Sequence, residues 1–593
     1  MFSIRFIQLF LFILCTLGVG LLLVAICIEI DVINVVVFNW YKITKARGSK
    51  YMTDHRNKYD KYNRYLVTLV VLMCFVLVEF LSPLGQVSAS KGKFYVKDGV
   101  LTKYWGQESK VVIPNGIKEI GYGAFEANFD LKEVTIPKSV KKISKYAFMA
   151  CSSLNKVNWG EGIEVIEFHA FRNCTKLKNI SIPKSVKYIG GRAFEGTPWM
   201  AKKKGFVIVN NILLQYNGKK KSITVPNGVE KISGYAFYDK FSEDKSWHGP
   251  TSVVLPESVY GLDESTFASC TRMKSIEILG EVAEIPYDCF YYCTSLKEIQ
   301  LPNTITTISD GAFFNTENLT EFEFPTNLKV IGEMAFFQSN FEKIDLPQSL
   351  IKIGDSAFYD SYYLEEIKIP KSVKLIGPSA FRNCQNLKNV VFGSEKTIID
   401  SAAFDRTPWY DNMKGEFIII NNCLMAYNGK ATKVVIPKEV KYVNQCYYKT
   451  SVKEIILPKG LKGIGYRGLS GLAVKKIYIP NSVESIGDYA FAFMDNLKKI
   501  ELPDNISKIG KGVFRSCDKL SYIKMPANIE KFNEEVFEEM NKATIQISSK
   551  AKKIIATTRI DSLVPYSELT IACKKDTPAY KYAKKNGCKI KLQ

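Results

Sequence analysis

Histidine is nearly absent from this chain. Three occur among 593 residues, at His55, His169 and His248. His55 lies ahead of an export-like segment, and His169 stands just before an Ala-Phe pair, where an outward-facing turn is expected. Neither has a Ser or Cys partner in its sequence context. G-x-S-x-G, H-E-x-x-H, a P-loop and paired-Cys zinc spacing are missing too, so the usual carriers of hydrolase, metalloprotease and nucleotide-hydrolysing chemistry are gone. An active site would need carboxylates assembled from separate parts of the chain. No catalytic residue, cofactor or metal is expected.

A disulfide framework is lacking as well. Eleven of the 14 cysteines follow residue 90, an odd number that leaves at least one unpaired. Six share one position, three residues after a Phe: Cys151, Cys174, Cys270, Cys293, Cys384 and Cys517. A disulfide or metal ladder is one reading. Equivalent positions hold Asn128, Thr316, Ser339, Ser361 and Met494, which favours a buried thiol acting as a small hydrophobe. Cys573 and Cys588 bracket a helix-like stretch, and their pairing stays open.

No L-P-x-T-G motif follows that stretch, so cell attachment is expected from N-terminal apolar residues or from charge. Phe6 to Ile28 is long enough to span a bilayer. Leu66 to Val78 is shorter, follows a basic stretch, and precedes Val87-Ser88-Ala89, which has signal-peptidase spacing. Membrane contact is therefore expected through residues 6–28 and 66–78, with cleavage after Ala89 as one outcome and a start codon placed too early as one account of residues 1–51. Either way the remainder is expected outside, at the cell surface or released. The net charge is +22, and residues 90–593 still hold 72 Lys/Arg against 54 Asp/Glu. That excess favours anionic polymers or glycans, and non-specific rather than specific contact with nucleic acid. A plain solubility role is the alternative.

What the chain does have is repetition. FYVKDGVLTKYWG from Phe94, FVIVNNILLQYNG from Phe206 and FIIINNCLMAYNG from Phe417 each pair β-rich runs around Asp-Gly or Asn-Asn, dipeptides that accept a tight hairpin. Each is followed after 20 residues by Pro114, Pro226 or Pro437. Beyond residue 90 one phrase recurs with a period near 23, L-x-x-I-x-I-P-x-S-V-x-x-I-G-x-x-A-F-x-x-C, as in Leu131 to Cys151. Its Phe or equivalent falls at seventeen positions from Phe125 to Phe537, with Tyr448 and Leu469 as variants. Val134 and Ile136 alternate with Glu133 and Thr135, which puts one side in a core. Pro137 ends the strand because it has no N–H to donate. Units of this type bury their apolar side only by stacking. The expected fold is a curved, β-rich leucine-rich repeat solenoid of about 23-residue coils, on the order of 80 Å long at about 4.8 Å per coil, with β-hairpin inserts and a helix-containing C-terminal cap. In that cap Thr577 is the expected helix N-cap, Pro578 its first residue and Gly587 its terminator. The expected divisions are 1–89 (membrane and export segments), arcs at 94–198, 206–408 and 417–566, and a cap at 567–593.

These coils, the Thr-Pro-Trp before each internal hairpin (Thr197 to Trp199, Thr407 to Trp409) and the terminal AYKYAKKNG resemble the BspA-like leucine-rich repeat family. The resemblance implies a non-enzymatic surface or secreted protein that adheres to host, matrix or neighbouring-cell proteins, so an extracellular protein ligand is expected. An envelope-associated structural protein that holds anionic wall polymers or glycans is the alternative. Solvent-facing strand positions are where such repeats bind. In the middle arc these are Glu277, Glu298, Gln300, Glu321, Glu323, Lys343, Asp345, Glu366 and Lys368, largely acidic; later they are Lys476, Tyr478, Lys499, Glu501, Tyr522 and Lys524. Polar residues exposed merely to water would give the same pattern. Trp247, in the long insert from Tyr238 to Thr251, is a candidate loop contact, with folding back onto its own coil as the alternative.

Overall fold

The computed structural model describes residues 93–593 apart from 239–248, 445–451, 530, 538–539, 541–542, 549–552 and 556–568. The two apolar segments, the Ala89 junction, Trp247, His248 and Tyr448 lie outside the described residues. Among the described residues no helix is long and apolar enough to cross a membrane. Lys93–Gln593 form one compact unit, a solenoid whose coils build two parallel ladders, the first interrupted at 179–182, 320–324 and 476–479.

The first ladder is the I-x-I-P strand. Lys110–Val112, Glu133–Thr135 and Lys156–Asn158 pair in parallel, residue for residue at the repeat spacing. Val134 and Ile136 are buried as the alternation requires. The second ladder is the short x-I run, followed in many coils by Gly, for example Val330–Ile331, Lys352–Ile353 and Leu375–Ile376. Glycine follows it because neighbouring backbones nearly touch there: a Cβ on Gly354 would lie 2.4 Å from the Gly332 backbone. Around the rings from Phe125 to Phe514 the described residues two before and two after take positive φ, as at Tyr146 and Ala150 about Phe148. This lets the turn donate N–H groups to the next coil, as from Phe125 N to Ala147 O at 2.7 Å. The rings stack, with Phe125, Phe148, Phe171 and Phe194 at 4.9 to 5.4 Å between centroids.

The three hairpins form as the dipeptides require, with positive φ at Asp98 and Gly99, Asn210 and Asn211, and Asn421 and Asn422. Their second strands, Val100–Tyr104, Ile212–Asn217 and Cys423–Tyr427, each start a second ladder by pairing in parallel with the next coil. At the internal hairpins that strand is a partition. Ile212 and Leu214 pack into the core behind it and Leu213 and Tyr216 into the core ahead. Cys423 and Met425, against Leu424 and Tyr427, repeat the arrangement. Thr-Pro-Trp is a short helix, α1 (Pro198–Ala201) and α2 (Pro408–Asp411), capped by Thr197 and Thr407. Trp199 and Trp409 meet Phe194 and Phe404 edge-on and end those ring stacks.

The ladder outlasts the Ala-Phe pairs. Thr544–Gln546, Thr570–Cys573 and Lys589–Leu592 add rungs beyond Phe537, so the solenoid is longer than the seventeen ring positions imply. Helix α3 (Pro578–Lys585), with Thr577 as N-cap and Gly587 at φ 70°, connects the last two rungs. No disulfide joins the described cysteines, and Cys573 and Cys588 are both buried. The repeated cysteines donate to the Phe carbonyl of the preceding coil, as Cys151 to Phe125 at 3.0 Å and Cys293 to Phe267 at 3.1 Å. Burial pushes the Cys151 thiol up to about 12, so it stays protonated and inert.

His169 corrects the expectation of an outward-facing turn. It is 5% exposed, with its ring 3.7 Å from that of Phe168 and edge-on to Tyr146. Burial, then the charges of Arg172 and Arg192, lowers it to about 3. It is a neutral ring packed among rings, because Phe168 beside it and Tyr146 of the preceding coil lie against it.

Candidate binding face

The outward side of the first ladder carries the sequence-predicted residues, but not as one continuous strip. Glu277 lies directly beside Gln300, and Glu298 beside Ser275, on a four-stranded sheet. Glu298 and Gln300 are exposed and Glu277 half-buried. Glu321 and Glu323 are exposed on a stretch with no ladder hydrogen bonds. There the inward residues are Phe322 and Phe324 rather than Ile or Val, and their rings lie edge-on to Phe336. A new sheet then begins, with Lys343 beside Glu366, Asp345 exposed, and Lys368 beside Val391.

Toward the C-terminus the face becomes concave. Lys476, Tyr478, Lys499 and Lys524, read separately from sequence, line one open groove of about 470 Å³ with Glu501, Asn481 and Asp504. Tyr478 is 74% exposed. Lys499 is fixed by an ion pair with Glu501 at 2.7 Å and lies 4.8 Å over the Tyr522 ring. The hydrogen bond between them raises the lysine and lowers the carboxyl, so both stay charged. Tyr522 in turn donates to Gln546.

Two features escaped the sequence reading. Glu133 sits between Lys110 and Lys156 of the adjacent coils, at 3.7 and 2.8 Å. Hydrogen bonds from Lys156 and then Asn158 lower its carboxyl to about 2. Aligning strands at the repeat spacing would have found this triplet. The second is an open groove of about 510 Å³ at the first internal hairpin, bordered by Lys184, Lys187, Lys231, Asn210, Asn211 and Tyr260. These residues span three coils and a hairpin tip, and no linear spacing connects them. Among the described residues no cluster of three or more His, Cys, Asp or Glu has metal-site geometry.

This face, with its ladders and ring stack, is that of a leucine-rich repeat. The chain matches the family described as BspA type Leucine rich repeat region (6 copies) over residues 104–212, 207–337, 283–409 and 418–544. It belongs to that family. Solved structures similar to this family member include a leucine-rich repeat protein from Bacteroides ovatus, with 22% identity, 86% of this chain and 100% of that one covered, and a TM-score of 0.25. A leucine rich cell surface protein from Faecalibacterium prausnitzii is 18% identical over 81% of this chain and 97% of that one, with a TM-score of 0.20. The pneumococcal vaccine antigen PcpA is 20% identical over 65% and 95%, with a TM-score of 0.25. Membership rests on the repeat match and on the coils themselves. No curated protein matches the chain.

Proposed function

We propose that this family member is a non-enzymatic binding protein, exported and either membrane-anchored or released, that adheres to an extracellular protein through the outward side of its first ladder. The groove formed by Lys476, Tyr478, Lys499 and Lys524 carries the reading. It offers an exposed aromatic ring and a paired lysine on adjacent stacked coils, the combination that anchors protein partners. The acidic residues of the middle coils and the basic groove complement a partner with a basic and an acidic end.

The test is solid-phase binding of the purified protein to a panel of immobilised matrix and cell-surface proteins, repeated with Glu298→Lys, Glu321→Lys and Glu323→Lys combined. A second variant combines Tyr478→Ser with Lys499→Glu in the groove. Affinity for the true partner should fall in both, and unchanged affinity in both removes this face from the interaction. The second reading, retention of anionic wall polymers or glycans, is favoured by the positive excess after residue 90. A salt series separates them: polyanion binding collapses as ionic strength rises, while a packed protein interface persists.

A further inference from the structure

The three hairpins are copies, yet one face of the first is uncovered. At the internal hairpins the outward positions are filled by the preceding coils. Val207 and Ile418 are buried there, as are Ile212 and Leu214 in one copy and Cys423 and Met425 in the other. The equivalent residues of the first hairpin are Tyr95, Val100 and Thr102, and Tyr95 is 54% exposed. Where Val209 and Ile420 pack against the core behind, the first copy has exposed Lys97. Where Asn217 and Asn428 bond back to the preceding chain, it has Trp105, 72% exposed.

A water-facing cap would be expected to be polar. This end instead exposes large rings, brought near one another through Lys103 and Asn128, with Tyr122 also edge-on to Tyr146 of the next coil. Lys103 stands directly across from Tyr95, has its amine 5.7 Å from the Trp105 ring, and donates to the Gly123 carbonyl beside Tyr122 at 3.3 Å. Asn128, next to Phe129, donates to the carbonyl of Gly106, next to Trp105. Tyr122 and Phe129 are 68% and 62% exposed.

We infer that this end face docks on an anionic lipid bilayer surface. The aliphatic residues of the internal copies are replaced here by Tyr95 and Lys97 and their Asn by Trp105, amphipathic side chains suited to the boundary between headgroups and acyl chains. Lys97 and Lys103 supply attraction to anionic headgroups. The apolar run 66–78 ends only 14 residues before Lys93, a span of at most about 50 Å when extended. Where that run is retained in the membrane, it tethers this end of the solenoid within that reach of the bilayer.

The experiment reconstitutes the full chain into vesicles of phosphatidylcholine, alone or with phosphatidylglycerol, doped with a photoactivatable lipid, and maps adducts by mass spectrometry. Adducts are expected on Tyr95, Trp105, Tyr122 and Phe129 in the anionic vesicles, reduced in the neutral ones. The combined variant Trp105→Ser, Tyr122→Ser, Phe129→Ser should lose them while keeping its melting temperature. Absence of adducts in anionic vesicles overturns the inference. So does protection of these rings by cross-linking to a second copy or to residues 1–92, and so does labelling that survives in the triple variant.

Discussion

From Phe237 to Phe404 eight rings stack with centroids 4.9 to 5.3 Å apart and planes within 9°. In the last stretch the stack is fragmentary. Leu469 stands in a ring position, Phe491 and Phe514 are 5.8 Å apart, and Phe537 is edge-on to Phe532. The second ladder nevertheless runs on through Gly463–Ile464, Ser485–Ile486 and Lys508–Ile509. Backbone pairing therefore sets the coil, and the rings add packing on top of it. A buried Leu fills the same slot without the ladder lapsing, which is how repeat arrays diverge in sequence while the coil is kept.

The largest expected effect tests that division. Phe313 stacks on Phe290 and Phe336 and is fully buried, so Phe313→Ala should cost about 3–5 kcal/mol locally. Phe491, with a ring on one side, should cost less. Hydrogen exchange of the flanking coils reads both, because solenoid stability is local. Equal costs would show that ring stacking adds nothing beyond burial.

A smaller effect sharpens the same contrast. Cys293 and Cys517 each donate to the Phe carbonyl of the coil before at 3.1 Å. Substitution by Ala should cost about 1–2 kcal/mol at either site. Measured by the same exchange, similar losses would locate the difference between the two regions in the rings; a much larger loss at Cys293 would locate it in the coil itself.

The smallest effect is a pH dependence of opposite sign in the two regions. Asp288 is raised to about 6, chiefly by burial and then by the charges of Glu264 and Asp310. Its folded value exceeds the unfolded one of about 3.9, so ionisation opposes folding. The middle coils should lose stability as pH rises from about 4 to 6 and then level off. Asp288→Asn should flatten that slope in thermal melts, and an unchanged slope would show that other groups cause it. Glu501, lowered by its bond to Lys499, contributes with the other sign: its stabilisation is lost on acidification.

Much of this was legible in linear order. The hairpins, the Pro-ended strands, the buried thiols and the cap helix follow from local rules, since positive φ, a missing N–H and helix capping depend on a few adjacent residues. The second ladder was less legible because two-residue strands have no period of their own. His169 was misread because its burial depends on Tyr146 of the preceding coil, 23 residues away. Among the candidate residues, the outward positions were read from alternation, while the groove uniting Lys476, Tyr478, Lys499 and Lys524 was not. Concavity comes from how three coils are placed, and alternation within one strand carries no information about it.

By itself the sequence determined the coil: its period, its inward Ile, Val and Phe, its punctuation by hairpins and its terminal helix, all consequences of short-range backbone chemistry and of the need to bury an apolar side by stacking. Only the tertiary structure decided that hairpin strands partition one core from the next, that Glu133 lies between two lysines, and that the first hairpin leaves Tyr95 and Trp105 uncovered. Those outcomes depend on which coils become neighbours and on what stands beyond the end of the stack, and burial is a property of neighbours in space.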